Sequence, residues 1–208
     1  MNASPLIACA DIGSVKKGNF GWWSSDGGSG HKPSTLADWV AAALNDDQSV
    51  ALGFECPLFV PLTEDEQNLT SARPGEGNRP WSAGAGCGAL ATGLVQVAWV
   101  LRAVRAALRV PRQAHLHWGD FAMTPGSLLI WEAFVSGKTK GSSHVADAQL
   151  AVEAFFLAMP NPESANAVRC NTPVHSLIGA TLLRTGWAQS SDVLASSCLV
   201  IKAHKNAA

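Results

Sequence analysis

The chain has 208 residues and a formal net charge of −1, from 15 Lys and Arg against 16 Asp and Glu. This near-neutral balance excludes a strongly basic protein that binds nucleic acid by charge alone. Hydrophobic residues make up 47% of the chain and charged residues only 15%. The chain can therefore bury a sizeable core, which excludes global disorder, and its length fits one domain of ordinary size.

The cysteines and the amino terminus predict a cytoplasmic protein without a membrane segment. The five cysteines are odd in number and include no CxxC pair, which argues against a disulfide framework or a cysteine zinc site. The first residues, MNASPLIACAD, have no basic region and reach a charge too early for a signal peptide. The longest apolar stretch, Ala89 to Leu101, contains Gln96 and is too short to span a bilayer.

Apolar runs and turn signals predict alternating strands and helices along the chain. The predicted strands cover residues 6–10, 20–23, 50–54, 127–134 and 193–203, and the predicted helices cover 36–44, 89–109, 145–158 and 174–187. Short runs that are apolar on both faces are typical of the buried sheet of an α/β fold. We therefore predict a single α/β domain over residues 1–208.

Residues 61–88 interrupt this pattern. They have no hydrophobic period and are rich in Pro and Gly, which predicts a long loop or lid inserted into the domain. Within it, the run Ser82-Ala-Gly84-Ala-Gly86-Cys-Gly88 could present backbone N–H groups to an anion or serve as a hinge. Residues 160–208 are predicted to be a C-terminal extension of one helix and one strand.

Four carboxylates lie in apolar segments, where a charge without a partner is costly. They are Asp11 in LIACADIG, Glu55 in VALGFECP, Glu132 in LLIWEAF and Asp147 in HVADAQLAV. Asp11 and Glu55 both follow predicted strands, at the edge of an open α/β sheet where ligands gather. Carboxylates from separate elements can share a hard divalent cation. The pattern predicts a site for one or two Mg²⁺ or Mn²⁺ ions that activate water against a phosphodiester.

Each of these side chains also has a structural interpretation. A single acid at a strand end is commonly a cap, a turn residue or half of a salt bridge. Alternation along its strand could turn Glu132 away from the other acids. His144 lies three residues before Asp147 on the same helix face, and it could instead be a surface histidine at the start of the helix.

Several motifs resemble those of the RNase H-like superfamily. Asp11-Ile-Gly13 after an apolar strand, followed by Phe20-Gly21-Trp22-Trp23, resembles the opening β-hairpin of that fold, and Glu55 after VALGF resembles its second catalytic acid. The run His144-Val-Ala-Asp147-Ala148 resembles the C-terminal motif of RuvC-type Holliday-junction resolvases. Glu55-Cys-Pro57 adds a resemblance to an uncharacterised family of predicted nucleases, in which Pro follows the buried acid of the central strand.

The resemblance implies an RNase H-like mixed β-sheet flanked by helices, with a very short third strand near residues 30–32. It implies a metal-dependent nuclease in which Asp11, Glu55 and Asp147 bind the metal. Glu132 would be a supplementary ligand, and His144 would be a fourth ligand or a proton shuttle near the leaving oxygen. The implied cofactor is Mg²⁺ or Mn²⁺, and the implied partner is DNA or RNA.

Basic and aromatic residues in the predicted loops are candidates for binding the substrate. Lys16 and Lys140 are candidate phosphate contacts under the same resemblance. Arg73, Arg79 and Trp81 in the 61–88 loop could clamp and stack a nucleotide. The same three residues could equally attach the loop to the body of the domain.

Two other functions remain open at this stage. The run Asp11-Ile-Gly13-Ser14 also resembles the first phosphate loop of sugar kinases and actin-like ATPases, which implies a nucleotide-binding or phosphate-binding protein. That family builds its site between two such domains, and this chain has the length of one. A third interpretation is a binding module that keeps an RNase H-like fold without activity.

Overall fold

The computed structural model describes residues 4–77, 80–135, 139–170 and 172–203. The strands are β1 (Leu6–Asp11), β2 (Gly21–Ser24), β3 (Ser29–Gly30), β4 (Val50–Phe54), β5 (Phe59–Pro61), β6 (Ala114–His115), β7 (Leu128–Phe134), β8 (Val174–Ser176) and β9 (Val200–Lys202). The α-helices are α1 (Pro33–Asn45), α2 (Gly84–Ala107), α3 (Trp118–Ala122), α4 (His144–Ala158) and α5 (Leu177–Thr185). Strands and helices alternate through the chain, so the predicted α/β class is confirmed.

Seven of the described strands form one mixed sheet. Its order is β3-β2-β1-β4-β7-β6, and β9 also pairs with β7. β2 is antiparallel to β1 and β3, whereas β1, β4 and β7 run parallel, as do β6 and β9 to β7. Ala10 lies opposite Phe54 in the register, so β1 and β4 end side by side at the same edge of the sheet.

Alternation along the strands gives this sheet two apolar faces. On one face, side chains such as Ala10 and Phe54 pack in one cluster with α1, α2 and α5. On the other face, Cys9 and Trp131 pack in a second cluster with α3 and α4. The domain therefore has three layers, with helices covering both faces of the sheet.

The segment predicted as one helix over 174–187 divides into a strand and a helix. Residues Val174–Ser176 form β8, which pairs with β5 in a separate two-stranded sheet. α5 begins only after this strand, where the Ser176 side chain accepts a hydrogen bond from the Gly179 N–H at 3.0 Å. The predicted C-terminal strand over 193–203 is likewise confined to β9, and a 3-10 turn at Ser191–Ala195 takes up its first part.

The glycine-rich part of the predicted 61–88 loop is helical. α2 begins at Gly84, five residues before its predicted start, and β5 takes up the first residue of the loop. Close packing explains Gly86, because a Cβ there would lie 2.3 Å from the carbonyl oxygen of Pro80. The connecting segment is therefore residues 62–83. Three short elements, β5, β6 and α3, have no counterpart among the predicted strands and helices.

α2 is long and apolar enough to cross a membrane by length and composition, although only the shorter run 89–101 stood out in the sequence. In the fold, its Val97, Val100, Leu101 and Val104 side chains are buried. They belong to the same cluster as α1 and α5. α2 therefore packs on the α/β domain through one face, while only 28% of its most apolar 18-residue stretch is buried and Val95 and Trp99 are exposed.

We predict that Gly53→Ala lowers the free energy of unfolding by about 1–3 kcal/mol through overpacking. A Cβ at Gly53 would lie 2.4 Å from the indole ring of Trp131, which is fully buried and has no room to move. Urea denaturation measures the loss. Gly119→Ala in α3 is the matched control, because a Cβ there meets nothing within 4 Å. Equal unfolding midpoints for the two variants would contradict this packing argument.

Candidate metal centre

Three of the predicted acids converge at the edge of the sheet where β1 and β4 end. Asp11 is the last residue of β1, and Glu55 directly follows β4. The Glu55 N–H donates a hydrogen bond to the Ala10 carbonyl at 2.9 Å, which keeps these two chain ends together. Asp147 joins them from the first turn of α4. One oxygen from each of the three carboxyl groups lies within 4.8 Å of the others.

The start of α4 reaches this edge because β2 begins with a glycine. A Cβ at Gly21 would lie 2.5 Å from the His144 carbonyl carbon and from the Val145 nitrogen. The helix start is also capped, since the Ser143 side chain accepts a hydrogen bond from the Ala146 N–H at 3.1 Å. Any larger residue at position 21 would push Asp147 away from the other acids.

Asp147 and Glu55 share a lysine. Lys140 Nζ lies 3.3 Å from Asp147 Oδ2 and 3.5 Å from Glu55 Oε1. The Gly141 N–H donates to the other Asp147 oxygen at 2.5 Å. The sequence predicts Lys140 as a phosphate contact, whereas the structure places its ammonium group on two of the three acids. A bound cation would compete with this ammonium group for the same oxygens.

Burial makes the charged state of the cluster unfavourable. It raises the pKa of Glu55 from 4.5 to about 9, and the neighbouring charge of Asp11 adds to this rise. Burial also raises the pKa of Asp11, although its contact with His144 opposes the rise. For Lys140, burial alone would lower the pKa, but the charges of Glu55, Asp11 and Asp147 together raise it.

One oxygen of the cluster lacks a partner. Glu55 Oε2 is buried and makes no hydrogen bond to any described residue. An unpartnered buried oxygen beside two further carboxylates favours a cation. The cluster could therefore hold a metal ion, with Asp11, Glu55 and Asp147 as ligands.

His144 lies at the rim of this cluster. Its Nδ1 contacts Asp11 Oδ2, and its side chain is 36% exposed. His144 lies outside the group of three mutually close ligand atoms. This position fits the proton shuttle better than the fourth metal ligand, and both roles were left open by the sequence.

Glu132 is not positioned as a supplementary ligand. It lies opposite Phe54 in the register, so its side chain points to the face of the sheet opposite to Asp11. Both carboxylate oxygens accept hydrogen bonds from Arg73, at 2.5 and 2.9 Å, and Oε2 also accepts from the Leu58 N–H. The alternation of side chains along β7 therefore separates Glu132 from the cluster of Asp11, Glu55 and Asp147.

Arg73 has the structural role rather than the predicted substrate role. It is 2% exposed and also pairs with Glu76 at 2.8 Å. Its NH1 group donates to the Phe59 carbonyl at 3.1 Å. The pair with Glu132 attaches the 62–83 segment to the sheet, which is the alternative that the sequence left open.

The other predicted substrate residues are spread around the site. Trp81 is half-buried, and its indole N–H donates to the Ser71 carbonyl at 3.0 Å. Lys16 is exposed in the 3-10 turn at Val15–Lys17 and lies outside the set of residues that line the cavity described next. Arg79 lies outside the described residues.

A cavity of about 340 Å³ opens beside the cluster. Asp11 and Glu55 line one part of it, and small residues of α2, including Gly88 and Thr92, line another. The sequence prediction missed the α2 wall because it interpreted the glycine-rich run as a loop. Gln96, a polar residue in an apolar helix, could have indicated from the sequence that this helix packs near the end of β1. In the structure its side-chain amide donates a hydrogen bond to the Gly13 carbonyl at 2.6 Å.

Comparison with known proteins found no matching family model, no matching curated protein and no matching solved structure. The function must therefore be inferred from the geometry and chemistry of the site itself.

We predict that Glu132→Gln lowers the free energy of unfolding by about 3 kcal/mol, because Arg73 then keeps a buried charge with Glu76 as its remaining acidic partner. Urea denaturation measures this loss. Asp47→Asn is the control, since Asp47 pairs with Arg112 but is 80% exposed, and its removal costs less than about 1 kcal/mol. A Glu132→Gln variant that keeps its stability but loses the rise in melting temperature with divalent cations would show that Glu132 is a metal ligand.

We predict that the protein in a chelator loses stability as the pH rises from 5 to 9, and that Glu55→Gln flattens this dependence. The folded state holds the Glu55 proton up to about pH 9, whereas the unfolded chain releases it near 4.5, so rising pH favours unfolding. Thermal unfolding across this range provides the measurement. Glu153→Gln, at an exposed position of α4, should keep the wild-type slope, and an unchanged slope in Glu55→Gln would show that Glu55 ionises normally.

Proposed function

We propose that the protein is a metal-dependent phosphodiesterase of RNase H-like fold, which hydrolyses a nucleic-acid phosphodiester with Mg²⁺ or Mn²⁺ in the cytoplasm. One observation carries this proposal: Asp11, Glu55 and Asp147 come from distant parts of the chain, and their oxygens lie within 4.8 Å of one another. Such a cluster is expensive to bury unless a cation joins it.

The arrangement of the sheet supports the RNase H-like part of the proposal. β1, β2 and β3 form an antiparallel meander, and β4 and β7 follow on the other side of β1 as parallel strands. β3 at Ser29–Gly30 is as short as the resemblance implies and overlaps the expected position at Gly30. The acids also lie where the resemblance requires them, at the ends of β1 and β4 and in the first turn of α4.

The ligand atoms support a hard divalent metal. All three ligands are carboxylate oxygens, and such oxygens select Mg²⁺ or Mn²⁺ over softer ions. When bound, the metal supplies positive charge beside the phosphoryl group and acidifies water. Asp11, Glu55 and Asp147 would hold it at the end of the sheet.

The remaining polar residues then have separate roles. A water oxygen attacks phosphorus and releases a proton to solvent, while the bond from phosphorus to the leaving oxygen breaks. His144, held by Asp11, donates a proton to that leaving oxygen and regains one from solvent. Lys140, once a cation occupies its acidic partners, is free to contact a phosphate oxygen, since its side chain is 44% exposed.

We predict that Mn²⁺ or Mg²⁺ raises the melting temperature of the wild type by about a few degrees at saturating concentration. We also predict that Asp11→Asn and Asp147→Asn remove this shift and lower nucleic-acid cleavage at least about 100-fold. Calorimetry and a fluorescent panel of single strands, duplexes, four-way junctions and RNA–DNA hybrids provide the two measurements. Asp38→Asn, at an exposed position of α1, is the matched control.

The outcomes separate the proposed function from its alternatives. Lack of any metal-dependent shift at millimolar concentration would count against the phosphodiesterase. A shift caused by ATP that persists in Asp147→Asn would favour the nucleotide-binding alternative. A metal-dependent shift without cleavage of any member of the panel would favour a binding module that lacks activity.

A further inference from the structure

The carboxylate cluster lies at the side of a cavity rather than on a flat surface. The cavity volume of about 340 Å³ is at the small end of the range for sites that enclose an organic ligand. Lys140 and His144, which are 44% and 36% exposed, line it near the cluster. Substrate therefore has access from the side of these two residues.

One end of the cavity wall is made of buried side chains. Arg73, Glu76 and Glu132 also line it, and these three residues are only 2–3% exposed. Their ion pairs, at 2.8 Å for Glu76 and 2.5 Å for Glu132, hold that end together. A polynucleotide chain cannot pass through the part of the wall that these buried, paired side chains form within the described residues.

The charge of the protein argues against a long contact with a nucleic-acid backbone. The 15 Lys and Arg are balanced by 16 Asp and Glu, whereas proteins that follow a backbone present a positive groove. Three of the arginines are engaged within the protein. Arg73 pairs with Glu132, Arg112 pairs with Asp47, and the Arg105 guanidinium lies over the ring of Trp187.

We propose that the site takes the phosphodiester of a single nucleotide unit, at the free end of a strand or in a short oligonucleotide. The sugar and base of that unit enter the cavity, while the phosphodiester stays beside the cation that Asp11, Glu55 and Asp147 would hold. Trp81 lines the wall with its indole fixed by the Ser71 carbonyl, and it provides an aromatic surface on which a base stacks. This inference rests on the proposed phosphodiesterase function and specifies its substrate.

An internal nucleotide of a duplex fits this site poorly. It would have to be unpaired and turned out of the stack to enter the cavity, and its chain would continue on both sides. The terminal nucleotide of a single strand avoids both obstacles, because it is unpaired and only one side of it carries the chain. The geometry therefore favours hydrolysis from an end over hydrolysis within a duplex.

The small residues of α2 allow this cavity to be filled without touching the acids. Ala85, Gly88 and Thr92 line it at the spacing of one helix face. A Cβ at Gly88 meets nothing within 4 Å, so a larger side chain has room there. Gly88→Leu should block the nucleotide while the metal-dependent rise in melting temperature persists. Ala85→Leu, one turn earlier on the same face, repeats the test, and Ala91→Leu at an exposed position outside the lining is the control.

The experiment measures Mn²⁺-dependent hydrolysis of three substrates by the full chain. They are the 4-nitrophenyl ester of thymidine 5′-phosphate, a linear labelled single strand, and a covalently closed circular strand of the same sequence. We expect hydrolysis of the ester and of the linear strand from an end, with the circle at least about tenfold slower. We expect Gly88→Leu and Ala85→Leu to lower kcat/KM for the ester at least about tenfold, with Ala91→Leu unchanged.

The two levels of the proposal fail in different ways. Equal cleavage of circle and linear strand, or full activity of both Gly88→Leu and Ala85→Leu on the ester, overturns the single-nucleotide inference and leaves the phosphodiesterase intact. If none of the three substrates is hydrolysed and Mn²⁺ does not raise the melting temperature, both the phosphodiesterase proposal and the single-nucleotide inference are overturned.

Discussion

The cost of burying Asp11, Glu55 and Asp147 side by side is the constraint on which the rest of the site depends. The parallel pairing of β1 with β4 and the close approach of α4 to β2 bring these groups together, and burial weakens the solvation of each. Nearby positive or donor groups contact these acids and offset part of this cost: the Lys140 ammonium, the His144 ring and the Gly141 N–H. One Glu55 oxygen still has no hydrogen-bond partner among the described residues. The cluster therefore keeps a buried acceptor that a cation could bind.

The acids on the two faces of the sheet have different roles. Asp11 and Glu55 share the face that packs on α4, which allows Asp147 to complete the cluster. Glu132, opposite Phe54 in the register, lies on the other face, where Arg73 satisfies it completely. A shift of one residue in the pairing of β7 would exchange these faces. The register of β7 thus determines which acid is available to a cation and which one anchors the 62–83 segment.

The sequence was informative where a local pattern determined the structure. Asp11, Glu55 and Asp147 could be located because each acid interrupts or ends a buried run, and such runs identify strands and helices by themselves. Glu132 also interrupts a buried run, but the prediction of a metal ligand was wrong there. Its partner Arg73 is 59 positions away in the sequence, and no local pattern pairs the two residues. The helical start of α2 was missed because glycine has a low helix propensity. Of the glycines at 84, 86 and 88, only Gly86 packs closely against the 80–81 segment.

Lys140 connects the electrostatics of the site to its chemistry. An ammonium group on two acids gives the cluster a positive charge of its own, which offsets part of the cost of burying these acids. A cation would have to compete with this ammonium group for Glu55 and Asp147, which would weaken its binding. Because Lys140 also lines the cavity, we propose that its release from the acids would favour a phosphate there and so link cation binding to phosphate binding.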